Sequence, residues 1–333
     1  MTSLETIWLV LVTGIWTLYL VLGGAELGVT MLLRLGSGAA RTVNRQAALR
    51  AIGPTWQAND VWLICAIGAM FGAFPAWYAG FTEGLYLPLV VLILALIVRH
   101  AGIEFADHHS PIGRERWTRA VIACSAVLPV GWGVAWAAAA DGSLARGGVD
   151  VLSWSTVLAG LALLALCHAM GAALLAHRTS GALAVAATRR LRWAAPLAAV
   201  LGVAATVGVA QGAADGVTAG PLAVALLVVA GAALATLTVA GRQGRARVAH
   251  HAAGVAVGGL LGALVAALGS RVIAGAGGVD LATSASGGYT LAWMTAITVA
   301  LLPVLLWVLH LAGRRRSTGP RRGLGEGLFE GLR

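Results

Sequence analysis

The sequence predicts an all-α polytopic membrane protein with about nine transmembrane helices, and three properties of the chain support this fold class. Of its 333 residues, 59% are apolar and only 11% are charged, whereas a soluble domain carries about 25% charged residues. Long uncharged stretches each approach the roughly 20 residues that a helix needs to cross a membrane. The 45 glycines suit close helix packing in lipid. We expect one integral membrane domain over residues 1–333.

Nine apolar segments follow one another along the chain, and each is interpreted as a transmembrane helix. They lie at about residues 7–33, 60–79, 84–103, 117–140, 154–177, 192–211, 221–240, 250–273 and 289–312. Helices one to four, within 7–140, and helices five to eight, within 154–273, are predicted to form two four-helix units. An even number of helices in each unit gives both units the same orientation. A tail, 313–333, follows the ninth helix.

The arginines predict the orientation of these helices. All 23 basic side chains are arginine, and all except Arg146 and Arg271 fall in alternate connections or in the C-terminal tail. Because basic residues collect on the cytoplasmic side of membrane proteins, we expect an outer N-terminus and a cytoplasmic C-terminus. The net charge of +10 does not indicate a nucleic acid partner, since no basic stretch forms a domain of its own.

Three carboxylates lie in or beside the first three apolar segments: Glu26, Asp60 and Glu104. An ionisable group inside a membrane costs about 2.5–3.5 kcal/mol on insertion scales and often marks an ion or proton path. Glu26 is about seven residues from the inner end of its segment, or roughly 10 Å deep. Asp60 begins the second segment and Glu104 ends the third, so all three are predicted to lie in the cytoplasmic half. Such a row would suit proton uptake.

Less specific interpretations of the acids remain open. Asp60 and Glu104 could be interfacial groups paired with Arg99 or Arg50. Glu26 fits this reading less well, because small apolar residues surround it and no arginine lies within a helical turn. A proton-coupled secondary transporter would also carry intramembrane carboxylates, and a purely structural membrane partner could retain acids without using them.

Four blocks within the first 120 residues resemble subunit II of cytochrome bd-type quinol oxidases. They are residues 24–32 (GAELGVTML), 52–63 (IGPTWQANDVWL), 71–78 with 86–89 (FGAFPAWY and YLPL) and 99–105 (RHAGIEF). The blocks occur in the order that the family shows. The second half of the chain is compatible with the family through its helix count.

The resemblance implies a two-subunit terminal oxidase in the bacterial plasma membrane. Such an enzyme passes electrons from quinol to oxygen and takes protons from the cytoplasm. In that family subunit II has two four-helix units and one peripheral helix, whereas haems b and d and the quinol site belong to subunit I. No redox-active residue and no cofactor are therefore expected in this chain. The resemblance also allows a structural quinone, bound membrane lipid and a small single-helix subunit.

The sequence departs from the family pattern at two acids. Gln57 stands where the family has Asp after the first Trp of its WDGN motif, and Gly23 replaces the first acid of the DGFD pattern. Glu26 matches the second acid of that pattern. Asp60, three residues after Gln57 and on the same helix face, is a candidate replacement for the missing carboxylate. The resemblance assigns supporting roles to Trp56, Asn59, Trp62 and Arg99, with Trp62 associated with access toward the oxygen site.

The histidines outside these blocks are interpreted as structural. His168 lies well inside an apolar segment, where packing or a hydrogen bond explains it better than haem ligation, and His310 lies nearer a segment end. Asp107, His108 and His109 are interpreted as a solvated loop and not as a metal site. The tryptophans at segment ends are expected to anchor the helices at the membrane interfaces. Examples are Trp8, Trp117, Trp154, Trp193 and Trp293.

Overall fold

A computed structural model describes residues 3–36, 39–53, 56–214, 217–275 and 278–301. The helices in the first half are α1 Ser3–Met31, α2 Ala39–Ile52, α3 Trp56–Ala73, α4 Pro75–Gly84, α5 Tyr86–Phe105, α6 Pro111–Asp141 and α7 Ser143–Arg146. Those in the second half are α8 Trp154–Arg178, α9 Gly181–Gly212, α10 Pro221–Gln243, α11 Ala246–Leu268, α12 Leu281–Ser284 and α13 Gly288–Leu301. Two short strands, β1 Arg271–Ile273 and β2 Val279–Asp280, pair antiparallel.

The described helices confirm the predicted all-α polytopic fold. Seven of them, α1, α5, α6, α8, α9, α10 and α11, are long and apolar enough to cross a membrane. The helices α3 and α13 are shorter apolar segments. If α3 and α4 are taken as one interrupted segment, these helices follow the nine predicted segments in order.

The segment predicted as one helix over 60–79 is interrupted at Phe74. Phe74 leaves the helical conformation at φ −136° and ψ 69°, and Pro75 begins α4 at its first helical position. Proline suits that position because it has no backbone N–H to satisfy and its φ is already helical. The Phe74 side chain is fully buried, so packing fixes the break in place.

Three other boundaries differ from the predicted ones. The connection between the first two predicted segments contains α2, which the apolar pattern did not predict, and α9 begins 11 residues before the predicted start at 192. The segment predicted to continue to 273 ends at Leu268, and Gly269 follows at φ +64°. Apolar runs predict the part of a helix inside lipid, so they miss polar helical turns at the surface.

Small residues allow α1 and α8 to come into close contact near the C-terminal end of α1. A Cβ atom on Gly28 would overlap the Cys167 carbonyl oxygen, and one on Gly171 would overlap the Gly28 backbone. The two backbones therefore touch with no side chain between them, as in small-residue contacts between membrane helices. This contact fixes the position of the end of α1 that carries Glu26.

The packing pairs of the first four long segments correspond to those of the next four. In the first set α1 packs on α3 and α6, and α5 packs on α6. In the second, α8 packs on α9 and α11, and α10 packs on α11. All of these helices belong to one compact unit, Met1–Ala285, and a second unit begins at Ser286 and contains α13. The division into two four-helix units stays a prediction.

At the outer end, as the arginines predict it, Asp141 joins the end of α6 to the start of α8. Its Oδ1 accepts from the Ser143 backbone N–H at 2.9 Å and from the Ser143 hydroxyl at 2.5 Å. Its Oδ2 accepts from the hydroxyls of Ser153 at 2.7 Å and Ser155 at 3.1 Å. Both carboxylate oxygens are thus used to close this end of the bundle.

An aromatic cluster fills the space between α1, α4 and α6. The ring centroid of Trp16 lies 4.9 Å from that of Trp132 and 5.4 Å from that of Trp136. The Trp132 indole N–H donates to the Tyr19 hydroxyl at 3.0 Å. Trp8 was expected at the membrane interface but is only 4% exposed. It therefore serves packing within the protein.

We expect Gly28→Ala to lower the stability of the folded protein, because the new methyl group must push α1 and α8 apart. Overpacking of this kind costs typically 1–3 kcal/mol. The matched control is Gly14→Ala in the same helix, where a Cβ meets nothing within 4 Å. Thermal melting of both purified variants checks the prediction. An equal melting temperature for the two would contradict the proposed contact.

Candidate functional site

Glu26 is a buried carboxylate close to the C-terminal end of α1. The residue is only 5% exposed, and it lies five residues before the helix end at Met31. The Asn59 side-chain amide at the start of α3 donates to Glu26 Oε1 at 2.7 Å. A buried carboxylate without a partner would be strongly destabilising, so this bond holds both the carboxyl group and the first turn of α3.

Asp60 forms an ion pair with His100, a residue near the inner end of α5. The distance between His100 Nε2 and Asp60 Oδ2 is 2.6 Å, and the two side chains are 28% and 24% exposed. The other ring nitrogen, Nδ1, lies 2.7 Å from the Leu96 carbonyl oxygen. A carbonyl oxygen can only accept, so Nδ1 carries a hydrogen. The bond to Asp60 then needs one further proton, on the imidazole or on the carboxyl group.

Arg99 places a buried positive charge beside both carboxylates. It is only 2% exposed, and its charge is close enough to interact with Glu26 and Asp60. Among the residues that the structure describes, its Nε and Nη2 atoms have no hydrogen-bond partner. Long-range attraction to the two acids therefore compensates the buried guanidinium charge more than direct hydrogen bonds do.

A buried pair of hydroxyl groups and an apolar cavity lie beside this cluster. The Thr30 hydroxyl donates to the Ser125 hydroxyl at 2.7 Å and links α1 to α6. A cavity of about 270 Å³ begins one turn away from the cluster, lined by Leu63, Leu96 and Tyr19 among other residues. The cavity continues toward the aromatic cluster and is mostly apolar.

A second cavity of about 310 Å³ lies between α6, α8, α9, α10 and α11. Small and branched apolar residues form nearly all of its wall, and Thr206 is one of its few hydroxyl-bearing residues. The described residues that line this cavity include no acid, base or histidine, so their chemistry suits an apolar occupant and not a proton.

The structure brings together most of the predicted site residues, but not all. Glu26, Asn59, Asp60 and Arg99 meet at one end of the helices, whereas Glu104 is exposed in the last turn of α5. In the described part of the chain Glu104 forms no hydrogen bond or ion pair. Its role in a path stays a prediction.

The predicted supporting tryptophans and Gln57 are described only in part. Trp62 is half-buried on α3. The side chains of Trp56 and Gln57 lie outside the described residues. Their predicted roles therefore rest on the sequence alone.

The interfacial pairing considered for Asp60 involved Arg99 or Arg50, and the structure pairs it with His100 instead. Sequence reasoning gave His100 no role. The available signal was its position next to Arg99, at the same predicted depth as Asp60. Helical spacing alone does not tell which face of α5 meets α3, so this pairing needed the structure.

The inner connections are held by ion pairs outside the cluster. Asp107 accepts from buried Arg45 on α2 at 2.6 Å and lies 3.6 Å from Arg114 on α6. Arg34 pairs with Glu115 at 3.1 Å. Asp107 is thus engaged by arginines. Within the described ranges no group of three or more His, Cys, Asp or Glu residues is arranged to hold a metal ion.

Of the two histidines considered for haem ligation, the structure describes only one. His168 is half-buried on α8, and the charge of Arg190 on α9 is close enough to interact with it. His310 lies outside the described residues. The site described above therefore contains one histidine, His100, and its ring serves Asp60.

Together these features define a polytopic helical membrane protein with a cluster of ionisable groups at one end of its helices. The family model of cytochrome bd terminal oxidase subunit II matches residues 4–312. The chain therefore belongs to this family.

Individual relatives agree with the family. Cytochrome bd ubiquinol oxidase subunit 2 of Bacillus subtilis is 32% identical over 192 residues, which cover 54% of this chain and 55% of that protein. Cytochrome bd-I ubiquinol oxidase subunit 2 of Escherichia coli K12 is 36% identical over 115 residues, covering 34% of this chain and 29% of that protein. The chain thus spans about half the length, or less, of the curated relatives it matches.

A solved structure gives the same fold. A chain in the structure of the bd oxidase from Geobacillus thermodenitrificans superposes with a TM-score of 0.67 and covers 94% of this chain and 98% of its own length. The sequence identity is 15%, so this likeness concerns the fold alone.

Proposed function

We propose that this chain is the second subunit of a membrane quinol oxidase that reduces oxygen. In this proposal it supports a haem-bearing subunit I, which holds haems b and d and the quinol site, and it contributes a proton path from the cytoplasm. Family membership supports the first part. The observation that carries the second is the buried Glu26 carboxyl group beside the partly exposed, hydrogen-bonded pair of His100 and Asp60.

The charges at the two ends of the helices support an inner location for the site. The connections beside the cluster carry Arg34, Arg45 and Arg114, in agreement with the positive-inside rule. The two arginines at the opposite end each have an acid nearby: Arg146 lies 3.5 Å from Asp150, and Arg271 lies 3.9 Å from Asp280. Their charges are thus compensated locally.

The path we propose has an entrance and an inner acceptor. Asp60 and His100 form the entrance because both side chains are partly exposed. Their hydrogen bond also needs a second proton, besides the one on His100 Nδ1. Glu26 is the inner acceptor, and the Asn59 amide holds its carboxyl group in place. Glu104, one turn beyond His100, is proposed to collect protons at the surface. The charge of Arg99 lies close enough to act on both acids.

Each group in the path has a separate task. The Asn59 amide nitrogen is a donor only, so it orients Glu26 without relaying a proton. Proton movement from Asp60 to Glu26 therefore requires a bridging water or a side-chain rotation. In the complex, the quinol and haem chemistry of subunit I would consume the protons that this chain delivers.

The first test concerns the partner. We expect the chain, purified from its own membranes under mild conditions, to bring with it a haem-bearing membrane protein, and to show essentially no haem absorption alone. Absorption spectra and mass spectrometry of the preparation check this. Stoichiometric haem on the isolated chain, lost on changing His168, would contradict the assignment of the haems. A stable preparation with no haem protein would favour a transporter.

The second test concerns Glu26. We expect Glu26→Gln to slow proton-linked oxygen reduction roughly a hundredfold, the lower end of the range for a lost acid–base group, because glutamine keeps the shape but cannot titrate. Oxygen consumption and proton uptake of the reconstituted complex measure the effect. The matched control is Glu83→Gln, at an exposed acid on α4. Normal rates in an assembled Glu26→Gln complex would mean that this subunit is a scaffold.

The third test asks whether Asp60 and His100 act as one unit. Asp60→Asn and His100→Gln should each slow turnover several-fold, and the double variant should be no slower than the slower single variant, since residues in one network are not additive. Losses that multiply in the double variant would show independent roles.

The control for His100 is His109→Gln. His109 Nδ1 also lies 2.8 Å from a carbonyl oxygen four residues earlier, but His109 is exposed and forms no ion pair among the described residues. This substitution should leave turnover unchanged.

If Asp60 replaces the acid missing at Gln57, then Gln57→Asp should restore activity to the Asp60→Asn variant.

A further inference from the structure

One face of α9 combines two exposed arginines with an open groove. The residues at this face recur at helical spacing and line a space of about 490 Å³ together with Leu35, which follows the end of α1. On α9 they are Ala182, Val185, Ala186, Arg189, Arg190 and Trp193. Both arginines are exposed, and neither forms an ion pair in the described part of the chain.

The arginines lie beside helix that is predicted to be in the membrane. Arg190 is close enough to interact electrostatically with His168, which belongs to the spanning helix α8. The two arginines directly precede the membrane segment predicted to begin at 192, so their side chains can reach lipid headgroups or another anion at this edge of the membrane. The two exposed arginines thus favour a negatively charged group at this position.

The same face continues into the membrane as an apolar stripe. Trp193 is 78% exposed, Leu197 is 55% exposed and Val200 is 65% exposed. These residues follow Arg189 and Arg190 at helical spacing, so they lie below the arginines on one surface. A ligand that matches both parts of this face has an anionic group at the arginines and a hydrocarbon chain along Trp193, Leu197 and Val200.

We propose that this α9 groove is a binding site for an anionic phospholipid. The phosphate accepts hydrogen bonds from Arg189 and Arg190, whose planar guanidinium groups suit phosphate oxygens. The Trp193 ring lies at the level of the glycerol backbone, and an acyl chain follows Leu197 and Val200. Basic pockets beside transmembrane helices on the cytoplasmic side are known to take such headgroups. The site is distinct from the carboxylate cluster and does not depend on the proposed oxidase activity.

Tryptophan quenching by brominated lipid tests this proposal. The purified complex is reconstituted in vesicles of about one fifth phosphatidylglycerol in phosphatidylcholine, with bromine placed either on the anionic lipid or on an equal amount of the neutral lipid. The Trp193 signal is the difference between the protein and its Trp193→Phe variant. Each basic side chain near an anionic lipid strengthens binding about fivefold, so quenching by the brominated anionic lipid should be at least about fivefold stronger.

Two double variants with the same charge separate a site from general attraction. Arg189→Gln with Arg190→Gln should bring the quenching ratio close to one. Arg242→Gln with Arg245→Gln removes the same charge from the exposed inner end of α10 and should leave the ratio unchanged. Each variant is again compared with its own Trp193→Phe form. The loss must therefore follow the groove and not the net charge.

Other outcomes would overturn the proposal. An equal loss in both double variants would mean that net charge attracts the lipid without a site. A ratio near one in the unchanged protein would mean that neutral lipid occupies the groove equally well. No quenching by either lipid would mean that a protein partner covers this face. Abolition of the preference by millimolar inorganic phosphate would mean that the arginines hold a free anion.

Discussion

The contact between Gly28 and Gly171 determines where the ionisable groups of this subunit lie. Because the backbones of α1 and α8 touch there, the inner end of α1 is fixed against the second half of the protein. Glu26 lies two residues before Gly28, so its side chain is directed toward α3 and α5 with little freedom. The hydrogen bond from Asn59 and the charge of Arg99 then act on a carboxyl group whose position is already set. Neither could compensate for a displaced α1.

Electrostatic balance explains why the cluster has its composition. Two carboxylates, one arginine and one histidine lie near one another at the end of three apolar helices. With both acids ionised and His100 protonated, the formal charges cancel, and release of one proton leaves a single negative charge beside Arg99. An uncompensated buried charge is costly, so larger changes in the charge of the cluster would be less favourable. Proton uptake by subunit II would make use of this limited range.

The sequence was sufficient to predict the helices in lipid but not how their faces meet. Hydropathy and arginine positions predicted the nine segments, and Glu26, Asp60 and Arg99 were recognised from their depth and from the family blocks. The His100–Asp60 pair was missed because it depends on the rotation of α5 relative to α3. The break at Phe74 was missed because Phe74 and Pro75 lie in an apolar run that continues on both sides. The polar helix α2 was missed because its stability comes from packing and from the Arg45–Asp107 pair.

The closed carboxylate at Asp141 has a consequence for the membrane potential. The four hydrogen bonds that Asp141 accepts join the outer end of α6 to the neighbouring chain. The proposed entrance at Asp60 and His100, in contrast, is partly exposed. In the proposed orientation most of the voltage therefore falls between Glu26 and the outer surface. Glu26 is five residues from the inner end of α1, about 7 Å of a hydrocarbon layer about 30 Å thick. A proton entering from the cytoplasm crosses only about a quarter of the field, or about 0.6 kcal/mol at 100 mV. The membrane potential would thus oppose mainly the movement of charge beyond Glu26.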